Sequence, residues 1–340
     1  MTETAPPAAE STRDGARMTH KERVRAALAK APVDRTPVSF WLHFPGRDHT
    51  AELLAASTLA LQRRFDLDIV KLMPTGMYAV VDYGVAMEPS SDDLGTSQYV
   101  SGPVSGPDDW SAIPPAPADR GELGKQVEVV RKIRAELDAE TPIIQTIYSP
   151  LSLAAKLVGG KLTPELLASE SLPPLLSRIA GDVIGFAKAC LGAGADGFFF
   201  ASQVANETFT RTEYEHLGVP FDLHVLEALR PLTWLLLLHL HGQSPYMDLA
   251  DRYPVDAVSW EDRETTPSIG EARAQTSRCL VGGVGRRNPL VDGTAEQIGT
   301  QVRRTIMEVS DSGLIVAPGC TIPVSVSREN LHALREAVGE

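Results

Sequence analysis

Eight short β-rich apolar runs, separated by stretches of helical spacing, restrict the fold of this chain more than any other feature. They are PVSFW (37–41), DIVKLM (68–73), PIIQTIY (142–148), GFFFAS (197–202), TWLLLLH (233–239), DAVSW (256–260), CLVGGV (279–284) and GLIVAP (313–318). Apolar runs without polar alternation are what strands covered on both faces look like. Between them lie segments such as LPPLLSRIAGDVIGFAKACLGAG, which closes on glycines as a helix C-terminus does, and TAEQIGTQVRRTIMEVSDSG, which opens on a Thr-x-x-Gln cap. Strands alternating with helices pair in parallel. Eight such units predict an α/β fold, a single (β/α)8 TIM barrel over residues 18–340. One excursion, 86–121, breaks the alternation: MEPSSDDLGTSQYVSG reads as a small hairpin, and GPVSGPDDWSAIPPAPADRG as a long surface loop that would close over an active site.

Composition narrows the functional classes. At 340 residues and 43% apolar content the chain can bury a large core. A net charge of -12, with no basic tract, speaks against nucleic acid as a partner. Cys190, Cys279 and Cys320 are too few and too scattered for a disulfide scaffold, which suits a reducing cytoplasm. Residues 1–17, MTETAPPAAESTRDGAR, carry acids and prolines where a signal peptide needs a basic start and an apolar stretch, and they read as a disordered tail. The longest apolar run, Leu232 to Leu240, is broken by Thr233 and His239 and is too short to span a membrane.

In this architecture the loops at the C-terminal ends of the strands build the site. Those ends carry His43 and Arg47, Tyr148, Ser202 and Gln203, His239 and His241, the run Trp260-Glu261-Asp262-Arg263-Glu264, Arg286 and Arg287, and Cys320. Two imidazoles at i and i+2 point the same way on a strand, and a thiolate brings a softer third donor. His239, His241 and Cys320 therefore form a candidate catalytic zinc set, the alternative being a polar pocket with a structural thiol. Cys190 and Cys279 read as small hydrophobes. Arg47, just after a Pro-Gly turn, is either a carboxylate clamp or a helix-cap ion pair. Asp262 and Arg263 are candidates for acid, base or substrate-binding work, against a solvated charged loop. His43, Tyr148, Gln203, Trp260 and Arg286 are candidate substrate contacts.

The motifs also carry a resemblance. KERVRAALAKAPVDRTPVSFW, LHFPGR, IYSPLSLAAKLVGG, GADGFFF and LIVAPGCTIP resemble successive segments of the uroporphyrinogen decarboxylase superfamily, from Lys21 to Ala337. The departures from true decarboxylases are informative. His43 stands where they have the first of two carboxylate-binding arginines, Lys156 where they have a tyrosine and Cys320 where they have a late histidine. The region DIVKLMPTG lacks their pyrrole-binding aspartate. A second branch, the zinc-dependent corrinoid methyltransferases that alkylate coenzyme M, carries His-x-Cys-Gly after the fifth strand and Ala-Pro-Gly-Cys after the eighth. This chain has LHLHG and APGC, so His239 and Cys320 match that branch's ligands and His241 replaces a cysteine.

The resemblance implies methyl transfer to a thiol or similar small anionic substrate, with a homodimer by analogy. The chain has no Asp-x-His-x-x-Gly corrinoid motif, so a corrinoid would arrive on a partner protein. Three other readings stay open: metal-independent decarboxylation of a tetrapyrrole or smaller carboxylate, a zinc-assisted hydrolase or lyase, and a non-enzymatic corrinoid-binding protein.

Overall fold

The computed structural model describes residues 17–309 and 312–339; the tail expected over 1–17 lies, apart from Arg17, outside the described residues. Seven strands form one sheet: β1 (Val70–Lys71), β4 (Ile143–Tyr148), β5 (Gly197–Ser202), β6 (Leu235–Leu240), β7 (Ala257–Trp260), β8 (Cys279–Val284) and β9 (Leu314–Pro318). They are hydrogen-bonded in that order, and every pair is parallel. All their residues are buried, which is why they read as continuous apolar runs. Helices intervene between the strands, among them Leu172–Gly192 and Ala295–Val309. The expected Thr-x-x-Gln cap is present on the second of these, where the Gln297 amide NH donates to Thr294 Oγ1 and the Thr294 NH to Gln297 Oε1.

The first expected strand, 37–41, is not one. It makes a single parallel bridge, Val38 to Val316 of β9. Hydrogen bonds run from Ser39 N to Val316 O, from Val316 N to Pro37 O and, on the other side, from Asp68 N to Val38 O. This short segment thus ties the β9 edge to the chain entering β1. Pro37 has no NH to donate, which limits the ladder it can build. The architecture is a curled, TIM-barrel-like parallel sheet of seven strands, not eight regular βα units.

The stretch between β1 and β4 holds a two-stranded antiparallel hairpin, β2 (Ala86–Pro89) and β3 (Ser97–Ser101). Its tip is tethered over the barrel mouth. Thr96 Oγ1 accepts from Gly76 N at 2.7 Å, and Asp93 O accepts from Val324 N at 2.7 Å. The following stretch, 102–121, turns away instead. Trp110 is fully buried and donates to Leu166 O, and Ala116 N donates to Asp182.

Candidate metal centre and substrate cavity

Strand geometry explains which side chains meet. Residues two apart on a strand share a face, and here the pairs Lys71 and Met73, Thr146 and Tyr148, Phe199 and Ala201, and His239 and His241, together with Trp41 and His43, line one cavity of about 230 Å³. Gln203, Lys156, Arg286 and Cys320 complete its chemically active wall, while Leu94, Thr96 and Ser97 of the hairpin border it. The covering element is therefore the hairpin, in place of the 102–121 loop that the sequence suggested.

At one side of the cavity lie His239, His241 and Cys320, with their candidate ligand atoms all within 4.8 Å of one another. Cys320 Sγ is 3.8 Å from His239 Nε2 and 3.7 Å from His241 Nδ1. Ordinary zinc bond lengths and a tetrahedral angle put a nitrogen and a sulfur ligand about 3.6 Å apart, so the donor set fits that ion. His239 Nδ1 lies 3.2 Å from Ser259 Oγ, an interaction that leaves Nε2 free to face the thiol. His241 Nδ1 is also 3.5 Å from Glu261 Oε2, and Glu261 is held in turn by Arg286 at 2.7 Å. Burial alone would raise the Cys320 thiol, but hydrogen bonds and charge from the two imidazoles bring it well below its ordinary value. The site thus favours a thiolate, the form that binds metals. Cys190 and Cys279 differ: both are buried, and burial pushes their thiols up.

The remaining wall is largely apolar with isolated cations. Lys71, 8% exposed, has its Nζ 4.3 Å from the Phe199 ring centroid and 5.3 Å from that of Trp41. Lys156 Nζ lies 4.7 Å over Tyr148. Burial pushes Lys71 down to about 7 and Lys156 to about 8. It also drives His43, next to Lys71, down to about 4, so that imidazole is neutral at physiological pH.

Of the residues singled out from sequence, His43, Tyr148, Gln203, Arg286, His239, His241 and Cys320 line this cavity. Four others do not. Arg47 is exposed and its Nε donates to Ser57 Oγ at 2.6 Å. Trp260 is fully buried and donates to Pro267 O. Asp262 accepts from Gly283 N, and Arg263 donates to Gly283 O and Thr305 Oγ1, so this pair braces β8. A residue's place at a strand end does not say which face it takes. Sequence reasoning passed over Lys71, although a lysine inside an apolar strand is itself a signal. Ser259 and Phe199, which stacks on His239 at 4.8 Å, gave no signal at all.

A barrel-like sheet with ionisable groups gathered in a cavity at the C-terminal ends of its strands defines a small-molecule enzyme class. Within that class, the chain belongs to the uroporphyrinogen decarboxylase (URO-D) family, whose model matches residues 19–340. It is 25% identical to the methylcobamide:CoM methyltransferase MtbA of Methanosarcina mazei over 94% of this chain and 97% of that protein. It is 30% identical to a uroporphyrinogen decarboxylase of Aeromonas salmonicida, over 51% of this chain and 55% of that one. A solved methyltransferase from Methanosarcina mazei shares the fold with a TM-score of 0.80, at 23% identity and covering 94% of this chain and 98% of that one. Among the described residues, no helix is long and apolar enough to cross a membrane.

Proposed function

We propose that this protein is a zinc-dependent methyltransferase acting on a small anionic thiol. The observation that carries the reading is the His239–His241–Cys320 cluster, whose nitrogen–sulfur spacings of 3.7–3.8 Å suit a shared tetrahedral ion. Similarity over nearly the whole chain to a methylcobamide:CoM methyltransferase supports the same reading. Zinc, when bound, would supply the Lewis acidity that lets a thiol ionise near neutral pH.

The chain's own residues do the rest. With Nε2 given to a metal, His239 Nδ1–H would donate to Ser259 Oγ, which holds the orientation of the ring. Arg286 holds Glu261 beside His241 Nδ1, the nitrogen that faces the thiol, and so sets the charge next to the cluster. The thiol releases its proton to solvent on binding, its sulfur forms a bond to the methyl carbon, and the bond from that carbon to the donor breaks with its electron pair left on the donor. With no corrinoid motif in the chain, a methylated corrinoid reaches the barrel mouth on a partner protein.

Decarboxylation is the second reading, supported by the Aeromonas likeness and by three cations in the cavity. A cavity of about 230 Å³ suits a small carboxylate far better than a tetrapyrrole. The deciding experiment is metal analysis of protein purified without a metal-binding tag, together with the loss of methylcobalamin absorbance on adding thiols. The wild type should carry about one zinc per chain and demethylate methylcobalamin with an anionic thiol, and Cys320→Ala should lose both. A metal-free wild type, or demethylation that survives chelation, would overturn the zinc-dependent reading, and metal-independent release of carbon dioxide from a small carboxylate would favour decarboxylation.

A further inference from the structure

We propose that Lys71 and Lys156 form the anion subsite of this cavity and hold the negatively charged end of the substrate. The inference rests on the reading of the cavity as a site for an anionic thiol, and it assigns the recognition of that anion. Both lysines line the cavity that holds the His-His-Cys cluster. Among the described residues neither has a carboxylate within ion-pair distance. Among the described residues Lys71 has one polar partner, the Met73 thioether, a weak acceptor, and Lys156 has none.

The contrast with the other lysines is what makes this informative. Lys21, Lys125 and Lys132 are ion-paired. Lys30, Lys161 and Lys188 have no such partner, but all three are exposed, where water solvates the ammonium. Among the described lysines, Lys71 and Lys156 alone are withdrawn from water without a carboxylate partner, and only the Cys320 thiolate offers Lys71 a nearby negative charge. A buried ammonium without an anion is costly. The faces of Phe199, Trp41 and Tyr148 offset part of that cost and hold the two heads in place. A sulfonate, carboxylate or phosphonate would supply the missing counter-charge.

The arginines are already committed. Arg286, the third cation of the cavity, is neutralised by Glu261 at 2.7 Å and Glu264 at 3.0 Å. Arg47 points to Ser57 and does not line the cavity. Charge that remains available for a ligand is therefore lysine charge, on the barrel wall beside the thiolate cluster.

The test uses anions that lack a thiol and is run with and without chelator, so that direct binding of a carboxylate or phosphonate to an ion is told apart from binding to the lysines. Isothermal titration of ethanesulfonate, propionate and ethylphosphonate into the full-length protein at pH 7 should show binding of at least one. Lys71→Met and Lys156→Met should each weaken it by roughly 10- to 100-fold, the loss expected for one charge-assisted contact. Lys188→Met, at an exposed lysine outside the cavity, should bind the same anion like wild type. Methionine matches the lysine stem and removes only the charge, and circular dichroism with thermal melting verifies folding; Lys71→Gln and Lys156→Gln serve as replacements if either variant fails to fold. The proposal is overturned if none of the three anions binds, or if the lysine variants bind as tightly as wild type. Anion binding without methyl transfer to any thiol would leave the subsite standing and refute the function above; methyl transfer with lysine-independent anion binding would do the reverse.

Discussion

Lys71 sits between Val70 and Leu72 on a strand with no other charged residue, and its environment sets a pH dependence that can be measured. Burial lowers its pKa from 10.5 in the unfolded chain to about 7. Between those values the unfolded chain binds more protons than the folded one, so this group makes stability rise with pH; below about 7 its full penalty is present. In metal-free protein, Lys71→Met should therefore raise the urea midpoint at pH 6 by an equivalent of about 2–4 kcal/mol, and by much less at pH 10. An equal gain at the two pH values would show that desolvation of the ammonium is not the cause.

At the scale of elements, β7 and β8 show how residues at a strand end can meet a neighbouring strand instead of the cavity. The run Trp260-Glu261-Asp262-Arg263 follows β7, yet only Glu261 faces the metal cluster. Asp262 and Arg263 grip the backbone of Gly283 in β8, through its NH and its carbonyl. Gly283 has φ +100°, and a Cβ there would stand 2.2 Å from Thr305 Cγ2. Gly283→Ala should therefore destabilise the protein by about 2–4 kcal/mol, through backbone strain and overlap together. Denaturant titration measures the loss, and a wild-type midpoint would mean that the β8 backbone can relax. The glycine pair was visible in CLVGGV, but its reason lies in Asp262, just after β7, and in Thr305 on the helix Ala295–Val309.

For the whole molecule the decisive joint is where the two edges of the sheet approach each other. Asp68, fully buried ahead of β1, accepts from Arg23, Arg35 and the Val38 NH. It thereby fastens the N-terminal helix (His20–Leu28) and the 37–39 segment to the sheet. Although burial opposes ionisation, His20, Arg35 and the Val38 NH hold Asp68 down at about 2. A lowered carboxylate contributes stability that is present above about 4 and lost as pH falls through about 2. Asp68→Ala should cost about 3–5 kcal/mol at pH 7, because Arg35 would be left buried without a carboxylate and Arg23 with Asp34 alone. Asp68 lies at the N-terminal end of β1, opposite the cavity, so zinc content should be unchanged in any folded fraction. Loss of zinc in soluble, folded Asp68→Ala would mean that the joint also shapes the site.

What the sequence by itself determined is local: the βα alternation, the helix caps, the strand-end placement of His239 and His241, and a thiol in Ala-Pro-Gly-Cys at the end of β9. Each depends on residues a few positions apart, where periodicity and hydrogen-bond chemistry speak directly. The tertiary structure decided what meets what. β6 and β9 are three places apart in the sheet, which if flat would separate them by about 14 Å. Curling of the sheet brings Cys320 to 3.8 Å from His239 instead. The same curl turns Lys71 inward beside Phe199, and partners on β8 draw Asp262 and Arg263 out of the cavity. Strand position fixes the end of the barrel at which a residue lies; only closure and side-chain pairing fix its face and its neighbours.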